Sequence, residues 1–189
     1  MVGLYRRGGK RIFDLLLSSA GLLFFALPMV WIGWRISREK TGAVFFRQLR
    51  IGYRGKLFTI LKFRTLGEGN VSSNFSKILR WTAMDELPQL FNILKGDMSF
   101  VGPRPLIQKE LEDLRRIPEG MDRLSVRPGL TGLAQLNSDK IPSLEERLGW
   151  DLAYVRQHSF LLDIRILLMS VFISIRGEWE KPAAKRGIL

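Results

Sequence analysis

Apolar residues gather most densely near the N-terminus, where positions 12 to 34 read IFDLLLSSAGLLFFALPMVWIGW. About 20 such residues in one straight helix would span the hydrocarbon core of a bilayer. Asp14 interrupts this run, Pro28 divides its second half, and basic residues flank it on both sides. Arg6, Arg7, Lys10 and Arg11 precede it, and Arg35, Arg38, Lys40, Arg47 and Arg50 follow. Lysine and arginine collect on the cytoplasmic side of membrane segments, so two basic flanks place both ends in one compartment. Proline lacks an N–H and its ring crowds the carbonyl four residues back, which breaks a helix. The element expected over 1–40 is a re-entrant arm, a helix–break–helix with its break at Pro28. Ser18 and Ser19 are candidates to bond the backbone groups freed there. A single-span anchor is the alternative that length permits, whereas a signal peptide would need a small-residue cleavage site where WRISREK stands. A buried core helix does not fit, because Phe24, Phe25, Leu27, Trp31 and Trp34 leave no polar face.

Past the arm the apolar period changes. Residues 44 to 65 alternate as two short strands around a turn at Gly52 to Gly55, which predicts a β-hairpin. The stretch 67 to 76, GEGNVSSNFS, reads as a polar loop, and 77 to 84 as a short helix or turn. A helix is expected over 86 to 95, with Pro88 in its first turn and Gly96 closing it, so that Asp85 lies at its positive end. Amphipathic helices are expected over 105 to 116 and 143 to 158. The last apolar run, 160 to 175, holds Asp163 and Arg165 and has about ten uninterrupted apolar residues, too few to span. It reads as a core or interfacial helix. The expected fold is α+β, with a re-entrant membrane arm over 1–40 and a unit over 41–189 built from interfacial helices and a short hairpin. A length of 189 residues, 46% of them hydrophobic, suits one such unit.

Charge narrows the partners. With 30 Lys and Arg against 18 Asp and Glu the net charge is +12, which calls for an anionic partner: a membrane surface, a nucleic acid or a phosphate-bearing substrate. No nucleic-acid-reading module is found, and nucleic acid would leave the arm unexplained. The chain has no cysteine and one histidine, His158, so thiolate chemistry, a zinc site and a Ser-His-Asp triad have little to build on. GYRGK lacks the P-loop spacing, and no G-x-G-x-x-G is present.

Against this basic background the hexapeptide MDELPQ places Asp85 and Glu86 side by side. An acidic residue at a helix start is on its own an ordinary cap. The chemical alternative is that one carboxylate attacks an electrophile while its neighbour helps to hold Mg²⁺, an ion that takes oxygen ligands. Phosphate-binding candidates accompany the pair. Arg104 is braced by Pro103 and Pro105, Lys62 and Arg64 lie two apart on a strand, Arg80 precedes Asp85 by five, and Arg127 opens the RPGLTG turn. Arginine suits phosphate because its planar fork donates two parallel hydrogen bonds.

Four stretches, KRIFD at 10 to 14, FFRQLRIGYRGKLFTILKFRT at 45 to 65, LRWTAMDELPQLFNILKGDMSFVGPRPL at 79 to 106 and RPGLTGLAQLN at 127 to 137, resemble the monotopic phosphoglycosyl transferases, the bacterial sugar transferase family. The resemblance runs from about residue 10 to 176. It implies transfer of a sugar 1-phosphate from a UDP-sugar to a polyprenol phosphate such as undecaprenyl phosphate, with release of UMP, as the first membrane step of glycoconjugate assembly. It further implies Mg²⁺, a re-entrant helix broken at a proline (here Pro28), a catalytic unit over 41–189 and a site on the cytoplasmic face of the bacterial inner membrane, with a homodimer left open. By the same resemblance Asp85 is the nucleophile that forms a covalent phosphosugar, Glu86 its dyad partner and fellow metal ligand. Lys62, Arg80, Arg104 and Arg127 match basic positions, and Asp151 and Asp163 match later acidic ones. The chain departs from the family's usual N-G-R at Asn137, Ser138 and Asp139, which bears on donor binding; Lys140 is a candidate substitute. A non-catalytic basic scaffold on a membrane surface is the competing function, and it leaves MDELPQ and the braced arginines without a task.

Overall fold

The computed structural model describes residues 4–39, 42–67, 72–138 and 143–176. A short π-helical turn, Tyr5–Gly9, leads into α1 (Lys10–Phe24) and α2 (Ala26–Arg38). These two form the arm and meet at a 60° bend. The bend falls at Phe25, with φ −92° and ψ 7°, and not at Pro28 itself. Proline acts upstream of its own position: its ring displaces the Phe24 carbonyl, and it sits in the first turn of α2, where no N–H is needed. Neither serine serves the break. Ser18 is buried and donates to the Leu15 carbonyl at 3.2 Å, and Ser19 is exposed. Among the described residues no single helix is long and apolar enough to cross a membrane, and the bent pair reaches that length only together.

Asp14, which breaks the apolar run in sequence, is buried and accepts from Ser99 Oγ at 3.0 Å and from the Phe100 amide at 3.1 Å. It therefore joins the arm to the core. α2 is tied on its other side, where Ile32 and Ile36 pack with Phe63 and Leu79. The outer surface of both arm helices stays apolar and exposed, through Leu23, Phe24, Leu27, Val30, Trp31 and Trp34.

β1 (Phe45–Ile51) and β2 (Leu57–Phe63) form the expected antiparallel hairpin, in register from Phe45 opposite Phe63 to Ile51 opposite Leu57. Its turn holds Arg54 and Gly55 at positive φ, 54° and 76°. α3 (Asn74–Trp81) starts earlier than the sequence suggests, because Ser73 caps it by accepting from the Ser76 amide at 3.0 Å. Of the expected polar loop, 68–71 lie outside the described residues. α4 (Gln89–Lys95) ends at Gly96 with φ 97°. β3 (Ser99–Val101) follows, then α5 (Gln108–Leu114), β4 (Gly129–Thr131), α6 (Leu133–Asn137), α7 (Leu144–Gln157) and α8 (Phe160–Arg176). α5 is shorter than the 105–116 expected, because Leu106 is taken into a bridge with Ile51 before the helix starts.

β3 and β4 pair in parallel, Ser99 with Gly129 and Val101 with Thr131. Periodicity does not disclose this small sheet, since each strand has three residues. What makes it is backbone contact between two motifs. A Cβ on Gly102 would lie 2.3 Å from the Arg127 carbonyl, and one on Gly129 would lie 2.1 Å from the Gly102 nitrogen. VGPRP and RPGLTG thus cross where only glycine fits. Phe58, Ile60, Ile93, Val101, Leu136 and Tyr154 are among the core residues that cover this crossing, and α8 closes the core with Ile166 and Ile173.

Candidate active site

Asp85 and Glu86 come from one 3-10 turn, Met84–Glu86, between α3 and α4. The chain enters it through Ala83 at φ 57°, a left-handed conformation that costs a non-glycine residue about 1 kcal/mol. The amides of Glu86 and Leu87 are engaged by the carbonyls of Ala83 and Met84, and α4 begins only at Gln89. Asp85 is therefore held in its own turn ahead of the helix and does not cap it, which corrects the placement expected from sequence.

The two neighbouring carboxyls are driven apart electrostatically. Asp85 is 9% exposed, and burial, with the charge of Glu86 adding to it, pushes its carboxyl up to about 7 against the pull of Lys62 and Arg80. Burial also opposes ionisation of Glu86, but the charges of Lys62 and Arg104 outweigh it and hold Glu86 below the usual carboxylate range. Lys62, on β2, is ion-paired to Glu86. One acid is thus a firm anion, and the other changes charge near neutral pH, the separation that distinguishes roles in a carboxyl pair.

These groups line a cavity of about 1120 Å³. Pockets for one small ligand run to about 300–1,000 Å³, so there is room for parts of two substrates. Lys62, Arg80, Asp85, Glu86 and Arg104 give it a charged section. Leu17, Gly21 and Phe25 of the arm, with Leu167, Leu168 and Val171 of α8, give it an apolar one. α6 contributes Gln135, the residue that ends it Ser138, and α7 Arg147 and Asp151.

The sequence-derived residues divide accordingly. Lys62, Arg80, Asp85, Glu86, Arg104 and Asp151 are brought together around the cavity. Arg80 reaches Ser72 Oγ at 3.4 Å and keeps a buried Nε without a partner. Four others, Pro28, Arg64, Arg127 and Asp163, lie outside the lining. Arg64 donates from Nε to the Ala43 carbonyl at 2.8 Å. Arg127 donates to the Gly96 carbonyl at 2.9 Å and lies over the Tyr53 ring, while Arg11 donates to the carbonyls of Ile93 and Leu94. The two arginines close the C-terminus of α4, where unsatisfied carbonyls favour cations. Asp163 is a core residue that accepts from Tyr5 Oη at 2.5 Å, Lys10 Nζ at 2.5 Å and Tyr154 Oη at 2.8 Å, tying the arm to α7 and α8. Pro28 shapes the arm and does not line the cavity. Asp139 and Lys140 lie outside the described residues.

Asp151 is buried against Arg123, with Nη2 to Oδ2 at 2.6 Å, and burial still raises its carboxyl to about 6 despite Arg123 and Arg147. The same Arg123 nitrogen donates to the Arg104 carbonyl at 2.9 Å, so one buried guanidinium fixes both an acidic lining residue and the loop that presents Arg104. Sequence reading passed over Arg123, Gln135 and Arg147, though Gln135 lies inside the LAQLN stretch, and it named Ser138 only within the departure from N-G-R. Among the described residues no cluster of three or more acidic or histidine side chains exists. A divalent cation in this cavity would rest on Asp85 and Glu86, and Mg²⁺ fits such a set because it keeps several waters and completes its shell with substrate phosphates.

Comparison with known proteins gives the family. A Klebsiella pneumoniae protein named UDP-glucose:undecaprenyl-phosphate glucose-1-phosphate transferase is 37% identical over 86% of this chain, which spans 39% of that relative. The Bacillus subtilis protein named uncharacterized sugar transferase EpsL is 39% identical, with 86% of this chain and 85% of the relative covered. The exopolysaccharide production protein ExoY of Rhizobium meliloti is 34% identical, at 86% and 83%. The model of the bacterial sugar transferases matches residues 5–177, nearly all that carries the arm, the hairpin and the cavity, and the chain belongs to that family.

Proposed function

We propose that the protein is a phosphoglycosyl transferase that moves a sugar 1-phosphate from a UDP-sugar to a polyprenol phosphate such as undecaprenyl phosphate, releasing UMP. The observation that carries this reading is Asp85, a buried carboxyl titrating near pH 7 in a cavity that combines Lys62, Arg80 and Arg104 with an apolar section from α1 and α8. The names of the relatives from Klebsiella pneumoniae and from Salmonella typhimurium, an undecaprenyl-phosphate galactose phosphotransferase, support the same class of reaction.

In the first step an oxygen of the Asp85 carboxylate bonds to the phosphorus that carries the sugar. The bond from that phosphorus to the oxygen bridging it to UMP breaks, and UMP leaves with the bridging oxygen. Lys62, Arg80 and Arg104 offset charge gathering on the phosphoryl oxygens. In the second step a phosphate oxygen of the polyprenol phosphate bonds to the same phosphorus and the bond to Asp85 breaks, which regenerates the carboxylate. The kinetics are ping-pong. Asp85 and Glu86 would hold Mg²⁺, which when bound neutralises diphosphate charge. Glu86, kept ionised by Lys62, is the ligand available at every pH of interest.

The arm supports a place on one leaflet, at the cytoplasmic face of the bacterial inner membrane. Basic residues flank it on both sides, and Leu23, Phe24, Leu27 and Val30 of the arm are exposed, as are Leu161, Leu168 and Ile175 of α8. An exposed apolar surface this extensive marks a membrane or protein contact. The prenyl end of the acceptor then arrives in the membrane plane along α1 and α8, whose residues continue into the cavity. Incubation with UDP-sugars and polyprenol phosphate, with and without EDTA, tests the reaction through UMP release. Incubation with donor alone should leave a base-labile phosphosugar on Asp85, seen as an intact-mass increase, and turnover without that adduct would remove Asp85 as the nucleophile.

A further inference from the structure

Four polar side chains in the cavity take no part in that mechanism. Ser138 is 3% exposed, and its Oγ has no hydrogen-bond partner. Gln135 donates from Nε2 to the Leu130 carbonyl at 3.0 Å, which fixes its amide and leaves Oε1 buried and without a partner. Arg147 is held by Glu110 Oε1 at 2.7 Å, Glu110 in turn accepts from the Ile107 amide at 2.9 Å, and the Arg147 Nε is buried without a partner. Asp151 completes the group, with Oδ2 taken by Arg123. All four line the cavity, and they come from α6, the residue that ends it and α7, the two helices packing on each other. Buried polar atoms are almost always bonded in folded proteins, so several orphans in one part of one cavity point to a ligand that bonds them.

The kind of ligand follows from the donor and acceptor inventory. A hydroxyl donates and accepts, the guanidinium only donates, and the amide oxygen and the carboxylate only accept. The donor's diphosphate, a diester with acceptors alone at neutral pH, would meet Gln135 Oε1 and the Asp151 carboxylate unfavourably, and a prenyl chain would satisfy none of the four. Ring hydroxyls match, because each donates one hydrogen bond and accepts another. We propose that Gln135, Ser138, Arg147 and Asp151 form a carbohydrate-hydroxyl site that holds neighbouring hydroxyls of the donor. This rests on the phosphoglycosyl transfer reading. The hydroxyls belong to the transferred sugar or to the ribose of the nucleotide.

Ser138→Ala is the clean test, because the hydroxyl it deletes makes no bond within the fold and thermal stability should hold. Gln135→Met is the second variant. UMP release is measured for the full chain with UDP-glucose, UDP-galactose and UDP-N-acetylglucosamine, and UMP is titrated separately as an inhibitor. Each variant should raise KM for the preferred donor about 3- to 10-fold, the effect of one lost neutral hydrogen bond, with a changed ranking of the donors where the contact is to the transferred sugar. Unchanged inhibition by UMP assigns the contact to the transferred sugar, and inhibition weakened by the same factor assigns it to the ribose; both sustain the site. Unaltered KM and donor ranking in both variants, with an active wild type, overturn it. A wild type that releases UMP from no donor is a different result, which defeats the underlying reading itself.

Discussion

A carboxyl that titrates near pH 7 is half protonated at neutrality, and only its ionised form attacks phosphorus. For Asp85 the value of about 7 therefore predicts that kcat/KM climbs as pH rises from 5.5 to 7 and levels off above. Stability runs the other way. The folded value lies above the ~3.9 of an unfolded aspartate, so between these limits the folded state binds more protons and loses stability as pH rises. Asp85→Asn removes this burden: the variant should be inactive, yet more stable than the wild type at pH 8 by up to about 4 kcal/mol, a gain that disappears near pH 4. Paired melting curves at the two pH values check this, and a variant less stable at pH 8 would contradict it. Arg123 makes the opposite case. Arg123→Met leaves Asp151 buried without its cation and should cost about 3–5 kcal/mol, whereas adding Asp151→Leu should restore most of the stability but not the activity. The acidic pair and its nearest cations could be read from sequence because MDELPQ stands out in a basic chain. Arg127 and Asp163 could not be placed, since an arginine braced by proline and glycine looks the same whether it faces a phosphate or the end of a helix, and an aspartate in an apolar helix looks the same as ligand or as core acceptor. Gln135, Ser138 and Arg147 become neighbours only through the packing of α6 on α7.

Secondary structure was legible where a local device enforces it. Gly52 and Gly55 announce the hairpin, Gly96 stops α4 and Ser143 caps α7 through the Glu146 amide. It was hidden where the decisive contact is remote. Ser73 looked like one more polar residue in a loop, and nothing near Leu106 reveals that Ile51 will claim it before α5 begins. The parallel pair of β3 and β4 is the extreme instance, because it depends on two glycines from distant motifs meeting without side chains. Gly102→Ala should accordingly be among the most damaging small substitutions in the chain. Its methyl would lie 2.3 Å from the Arg127 carbonyl, and the collision is with backbone, which cannot step aside. A loss of about 3 kcal/mol or more is expected, read as a lowered melting temperature or insoluble expression, with loss of turnover because Arg104 lies two residues away. A soluble, fully active Gly102→Ala would show that the crossing has slack.

The arm bends for two separate reasons, and they can be weighed. Pro28 opposes a continuous helix by about 3 kcal/mol. Tertiary contacts oppose it as well. On the first limb Asp14 bonds Ser99 and Phe100, while Tyr5 and Lys10 bond Asp163. On the second, Ile32 and Ile36 are buried against Phe63 and Leu79, each worth about 1.5–3 kcal/mol. Straightening the arm in place would pull at least one limb off the body, so the contacts together outweigh the proline. Pro28→Ala alone should therefore leave a reporter tag at residue 1 on the same side of the membrane as the catalytic body, with activity largely kept. Adding Asp14→Leu changes the balance. It deletes the acceptor of two buried donors, which disfavours the docked limb by about 1–3 kcal/mol for each, and it makes the limb more apolar. In the double variant a measurable share of the tags should appear across the membrane, and activity should fall in proportion, because α1 supplies Leu17 and Gly21, and the bend Phe25, to the cavity. If Pro28→Ala alone sends the tag across, the proline and not the docking of the limbs holds the bend.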